Sequence, residues 1–423
     1  MALSFLALSC RVGMASAATL GIPLGDAPVL ERIFAYPNKP DPSLDLAGTI
    51  EHYLRQSLAR DGFAGASVRV VQDGNGHRAE LTADSPDLAR YGERLPGFLR
   101  NGRMADEAFA GIQDAGQWNP QWRVYLPLGL PLARARSVQL LHFPPDYSLS
   151  CQDYLGSRTS RRWEALLLAN GAPQDSLARH EAIVDIVPIA APADSGNRLP
   201  VVPFRGYAKA QLQLLTAAAD PGGDAHTLPV LAYGQPVRQW VNDMLGQDLQ
   251  RVLDTRYVEL QSGRKTPLLV ANHPSYFWRA WEESPDKGRK VMQEDLVAAC
   301  WQKALGDDPG ADIRATLSLC QARWQARPEE VCVLTRVQAC GDPWPQAESQ
   351  CRQSPQSPPA CAAKAPVDAS PAGSQAAEAA SAPQQVEACV PTQMQQCGYV
   401  RQQAEALCRQ YRQPPACPKA CPL

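Results

Sequence analysis

One stretch of this chain gathers residue types that do proton-transfer chemistry: Asn272-His273-Pro274-Ser275, placed after the apolar run 268–271 and before a helical pattern. A histidine there can serve as general base, a neighbouring serine hydroxyl as nucleophile and an asparagine amide as hydrogen-bond donor. The end of a strand that leads into a helix is also where open α/β sheets place reactive groups. Tyr276, Phe277, Trp278 and Trp281 follow at near-helical spacing. They suit a core stripe or, if exposed, a binding surface for a protein partner. The same residues have a structural use, since Asn272 can turn the chain and Pro274 fits a first helical turn, and that use is the favoured one. His273 and Ser275, two residues apart, need not converge on one substrate atom.

The Asn-His pair resembles the motif of glycerolipid acyltransferases, in which histidine is paired with aspartate five residues on; that position here is Trp278. His180-Glu181 with Asp185 lacks the second histidine of a zinc protease. The chain contains no GxGxxG, no GxxxxGK[ST] and no GxSxG, so neither dinucleotide and phosphate loops nor a nucleophile elbow is present. Cys151 is a candidate reactive thiol, but for a lone cysteine of an exported chain a disulfide is the favoured reading. No metal and no cofactor is expected.

The most regular chemistry is that of the cysteines. Cys332, Cys340, Cys351 and Cys361 recur in nearly the same register as Cys389, Cys397, Cys408 and Cys417. The copies share Val333/Val390, Thr335/Thr392, Gly341/Gly398 and the triplet Gln346-Ala347-Glu348/Gln403-Ala404-Glu405. This is a tandem duplication. Zinc sites use short CxxC pairs with histidine nearby, whereas these cysteines lie further apart and no histidine lies beyond His273. The reading is therefore a disulfide framework. Each module is expected to hold a short helical hairpin whose few apolar side chains cannot form a core, with cross-links holding it instead. Nested pairing, first with fourth and second with third, is the natural arrangement for such a hairpin. Cys300 and Cys320 are expected to bridge two helices, leaving Cys151 and Cys421 unassigned.

Around these residues, 1–17 reads as a secretory signal with Ala15-Ser16-Ala17 as the cleavage pattern and a start that looks truncated; soluble export is favoured over lipidation of Cys10. Residues 20–286 read as a mixed α/β or α+β body. Helices are expected at 46–61, 208–218 and 237–252, and strands at 66–71, 78–82, 122–128, 137–143, 164–168, 182–189, 229–231 and 267–270. A helical hairpin, 287–327, should pack on the body. Module 1 (332–361), a flexible linker (362–388) and module 2 (389–421) follow. A net charge of −2 with pI near 6.3 gives no electrostatic case for nucleic acid, and no apolar run reaches transmembrane length. The expectation is an exported bacterial protein, periplasmic or secreted. Its favoured role is that of a non-enzymatic interaction, adaptor, immunity-type or envelope-assembly factor acting through its aromatics and duplicated modules. The alternative is a hydrolase or transferase whose site follows the strand before Asn272-His273.

Overall fold

The computed structural model describes residues 18–26, 43–60, 62–63, 65–74, 76–83, 88, 123–124, 134–143, 158–190, 204–219, 228–261, 264–355 and 361. The expected signal segment, linker and second module lie outside them, as do Cys151 and Cys421. Near the N-terminus, β1 (Ala18–Asp26), β2 (Ser67–Asp73) and β3 (Gly76–Ala83) form an antiparallel sheet in the order β1-β3-β2. Helix α1 (Leu46–Arg60) buries Ile50, Leu54 and Leu58 against it, one residue per helical turn as the apolar spacing predicts. Glu51 accepts from the Val70 backbone at 2.8 Å and fixes the helix on β2. Arg60 donates to the Glu181 carbonyl at 2.9 Å, tying this unit to the main sheet. Sequence reading anticipated α1, β2 and β3 but not β1.

The main sheet has the order β6-β5-β8-β10-β9, formed by β5 (Ser137–Leu141), β6 (Glu181–Asp185), β8 (Val230–Tyr233), β9 (Thr255–Gln261) and β10 (Arg264–Ala271). Strands β6, β5, β8 and β10 are parallel and β9 is an antiparallel edge. A separate ribbon pairs β4 (Arg123–Val124) with β7 (Ile189–Ala190). Every residue of β5, β6 and β8 is buried, which requires helices on both faces of the sheet. Those helices are α2 (Arg158–Ala169) with α7 (Pro285–Asp307), and α4 (Arg205–Ala219) with α5 (Gly234–Leu245); short helices α3 (Ser176–His180) and α6 (Tyr276–Glu283) complete the body. The body is thus mixed α/β, as composition and patterning indicate.

Two elements correct the sequence reading. The run at 164–168, expected as a strand, lies in α2, where Trp163, Leu166 and Leu167 share the buried side. The helix expected to reach 252 stops at Leu245, because Gly246 takes the left-handed conformation (φ 61°) that closes a helix. Strand β9 was not anticipated.

Helix α7 leads through residues 308–312 into α8 (Ile313–Gln325), and Cys300 is bonded to Cys320 across the pair. Trp301 closes the seam by donating to the Ile313 carbonyl, and Trp324 ties α8 to the end of α2 by donating to Asn170 Oδ1, each at 3.0 Å. Helices α9 (Pro328–Cys340) and α10 (Trp344–Gln353) then carry the first cysteine module. Its pairing is Cys332–Cys351 and Cys340–Cys361, first with third and second with fourth, not nested. The reason is geometric. Cys340 ends α9 at the turn, while Cys351 lies near the far end of α10, a helix about 15 Å long at 1.5 Å per residue. A disulfide needs Cα atoms within about 7 Å, so Cys351 can reach only the start of α9, where Cys332 sits. The module buries Cys332, Val333, Ala347 and Cys351 in a cluster of its own.

Candidate functional site

The parallel strands end together, and their carboxyl ends carry the polar residues that matter. β10 runs into Asn272-His273-Pro274-Ser275 and then α6. Asn272 donates from Nδ2 to Glu294 Oε2 at 3.0 Å and to Asp295 Oδ1 at 3.1 Å, fastening the turn to α7. Asp295 in turn accepts from Arg162 of α2 at 2.7 Å, with both side chains sealed from solvent, 0% and 1% exposed. Burial pushes Asp295 up to about 6 and lowers Arg162, outweighing their mutual attraction; removing water from both charges costs more than the contact restores. The guanidinium also lies 4.4 Å from the centre of the Phe277 ring and donates to the Pro274 carbonyl at 3.4 Å. The turn is therefore held on both sides by buried groups.

Within it, the backbone N–H of Ser275 donates to His273 Nδ1 at 3.3 Å, and Ser275 Oγ lies 2.7 Å from the same nitrogen. A backbone N–H can only donate, so Nδ1 is bare and the proton of the neutral ring sits on Nε2. Burial, with a smaller effect from the nearby His142, holds the His273 pKa down to about 4. The histidine and serine proposed from sequence are thus in contact, but so weak a base removes a proton poorly at neutral pH. The geometry instead presents Nε2–H as a neutral hydrogen-bond donor. Among the described residues no carboxylate is hydrogen-bonded to His273.

The backbone adds to this polarity. The N-terminus of α5 has no side-chain cap at Tyr233, and neither has that of α6 at Ser275, whose hydroxyl is engaged with His273. By contrast α7 and α8 are capped by Ser284 and Asp312. Uncapped N–H groups carry a partial positive charge and attract electron-rich oxygen. Between the ends of β5 and β10 lies Gly234, at φ 79°; a Cβ there would stand 3.4 Å from the Cβ of His273.

Two residues to which sequence reasoning gave no part in this site, Asp185 having been weighed only with His180 and Glu181, lie at the same edge. His142, one residue past β5, has its Nε2 buried without a hydrogen-bond partner, and burial lowers its pKa to about 4. Asp185, the last residue of β6, is 4% exposed; its Oδ1 has no hydrogen-bond partner, and burial raises it to about 8. Each is the polar residue that terminates a buried apolar strand, which is the signal that could have marked it. His180 and Glu181 do not join Asp185, since they stand at the opposite end of β6.

The aromatic group does not form an open patch. Phe277 is fully buried beneath Arg162, while Tyr276, Trp278 and Trp281 are half-buried. Helical spacing put Phe277 on the inner side of α6, so it has no surface to offer a partner. Among the described residues, the large exposed apolar side chains are instead Leu168, Tyr257, Leu319 and Trp344. Among the described residues no three histidine, cysteine or acidic side chains gather as a metal site, and no helix is long and apolar enough to cross a membrane. No family profile and no curated protein matches the chain.

Proposed function

We propose that the chain is a hydrolase or transferase whose site is the carboxyl edge of the parallel sheet, where His273 donates through Nε2–H to an oxygen that gains negative charge during acyl transfer. The observation that carries this reading is the 3.3 Å bond from the Ser275 backbone N–H to His273 Nδ1, which leaves the ring proton on Nε2. A fixed neutral donor beside two uncapped helix starts needs no reorganisation as charge develops. Ser275, whose Oγ contacts Nδ1 on the opposite side of the ring from Nε2, orients that donor; the attacking nucleophile is a water or an acceptor alcohol, whose proton leaves with the departing alkoxide. The test is turnover of a panel of 4-nitrophenyl acyl esters by the full chain. His273→Phe should lower turnover by about 100-fold, the effect of losing one oxyanion donor, while His273→Gln, which keeps an N–H, should retain more. Wild-type turnover no faster than that of His273→Phe would sink the reading.

A second reading, the exported interaction factor, is supported by Trp344. This side chain is 49% exposed on α10, beside Val333 in a shallow cleft rimmed by Arg327, Glu329, Glu330 and Glu348. A protein partner that co-purifies from an exported fraction and is lost in Trp344→Ser would favour it; retention of every partner would count against it. Three disulfides are consistent with an oxidising compartment.

A further inference from the structure

We infer that the first cysteine module is closed by one structural bond and one exchangeable bond, and that Cys340 is the site at which a small thiol of the glutathione class is taken up as a mixed disulfide. The inference depends on neither reading of function above. Cys332 and Cys351 are fully buried with Val333 and Ala347 in the cluster that holds α9 against α10. Cys300 and Cys320, at 8% and 3% exposed, are likewise sealed between α7 and α8. Cys340 and Cys361 are only half-buried, and neither belongs to a core cluster. A thiolate can attack only a sulfur that it can reach. The three bonds therefore differ in access, and Cys340–Cys361 is the one open to exchange.

The exchange has a preferred direction. Cys340 is the last residue of α9, which Gly341 closes at φ 71° by donating from its N–H to the Val337 carbonyl at 3.2 Å. The carbonyls of that last turn carry a partial negative charge, which disfavours a thiolate on Cys340. Cys361 lies in no helix. The nearest charged residues along the chain from Cys340, Arg336 and Asp342, pair with each other at 2.6 Å and largely cancel. The incoming thiolate therefore bonds to Cys340 Sγ, the central sulfur and the one that carries least charge, as the bond to Cys361 breaks and Cys361 leaves as a thiolate that takes up a proton. A second glutathione thiolate then attacks the sulfur of the first, releasing oxidised glutathione and a Cys340 thiol. The Cys332–Cys351 bond and the hairpin stay in place. What is untied from the end of α9 is the segment 354–361, through which the chain continues toward the second cysteine copy.

The test exposes the full chain to reduced glutathione for graded times, labels free thiols with N-ethylmaleimide and maps each cysteine by mass spectrometry. The Cys340–Cys361 bond should open about tenfold faster than the other two, which wait for their helices to part. At early times glutathione should sit on Cys340 and the maleimide on Cys361. Opening of all three bonds at one rate, or of Cys332–Cys351 first, would overturn the inference; glutathione on Cys361, or on neither cysteine, would overturn the site. A second measurement reads what the bond holds. Arg352 lies between Cys351 and Cys361, so trypsin should cut after it several-fold faster in Cys340→Ser with Cys361→Ser than in wild type, while the buried Arg336 stays protected. Unchanged cleavage at Arg352 would contradict the untying. Cleavage at Arg336 as well would make the bond part of the framework and end the inference.

Discussion

The two ends of the main sheet bury similar groups in opposite ways. At the amino end, Glu181 is buried, yet it accepts from Ser137 and from Gln302 of α7, and Trp163 donates to Gln302 Oε1 at 3.0 Å. Burial raises Glu181 to about 7, but these hydrogen bonds oppose the shift. At the carboxyl end, Asp185 has no such compensation and rises to about 8 through burial alone, and His142 Nε2 is unmatched. The same helix, α7, serves both ends, with Gln302 at one and Asp295 at the other. A satisfied polar cluster specifies packing, whereas an unsatisfied one is tolerated where something else supplies the partner. On this comparison the Glu181 cluster is framework, and the carboxyl end is where the proposed site lies.

The comparison can be broken at several places. The largest effect is expected from Arg162→Met, which leaves Asp295 buried and unpaired and should cost about 3–5 kcal/mol of unfolding free energy in urea; Arg162→Met with Asp295→Leu should recover most of that loss. Asp185→Asn comes next. The folded state holds this carboxyl protonated up to about pH 8, against 3.8 for the ordinary group, so wild type loses stability as pH rises through that window. The variant should gain on wild type by roughly 1 kcal/mol per pH unit between pH 5 and 8; a constant difference in urea midpoints would contradict this. At the amino end, Gln302→Leu should cost about 1–3 kcal/mol by stranding Glu181 and Trp163 and leave ester turnover unchanged. Ser275→Ala should be the mildest for stability, within about 0.5 kcal/mol, so any loss of turnover in it reports on the orientation of His273.

Much of the framework was legible because it depends on local pattern. The α1 stripe of Ile50, Leu54 and Leu58 and the buried runs of β5, β8 and β10 follow from period and composition. Helix α2 was misread because Glu164-Ala-Leu-Leu-Leu fits a strand as well as a helix, and what decides it is the packing of Trp163 against Tyr233, rings 5.0 Å apart. The site was legible only in part. Its His-Pro-Ser turn stands out in sequence, but its supports are distant along the chain: Arg162 meets Asp295, and Asn272 meets Glu294. His142 and Asp185 looked like strand residues because their meaning comes from strand order, which places the ends of β6, β5, β8 and β10 side by side. The interleaved cysteines likewise follow from helix length, not from spacing alone.

The most direct test of the central claim is the protonation of His273, read by 15N NMR of the ring nitrogens from pH 3 to 8 and assigned with His273→Phe. The account predicts a neutral ring protonated on Nε2 throughout the neutral range, with a midpoint near 4. A ring protonated on Nδ1, or one that titrates near 6.5, would contradict it.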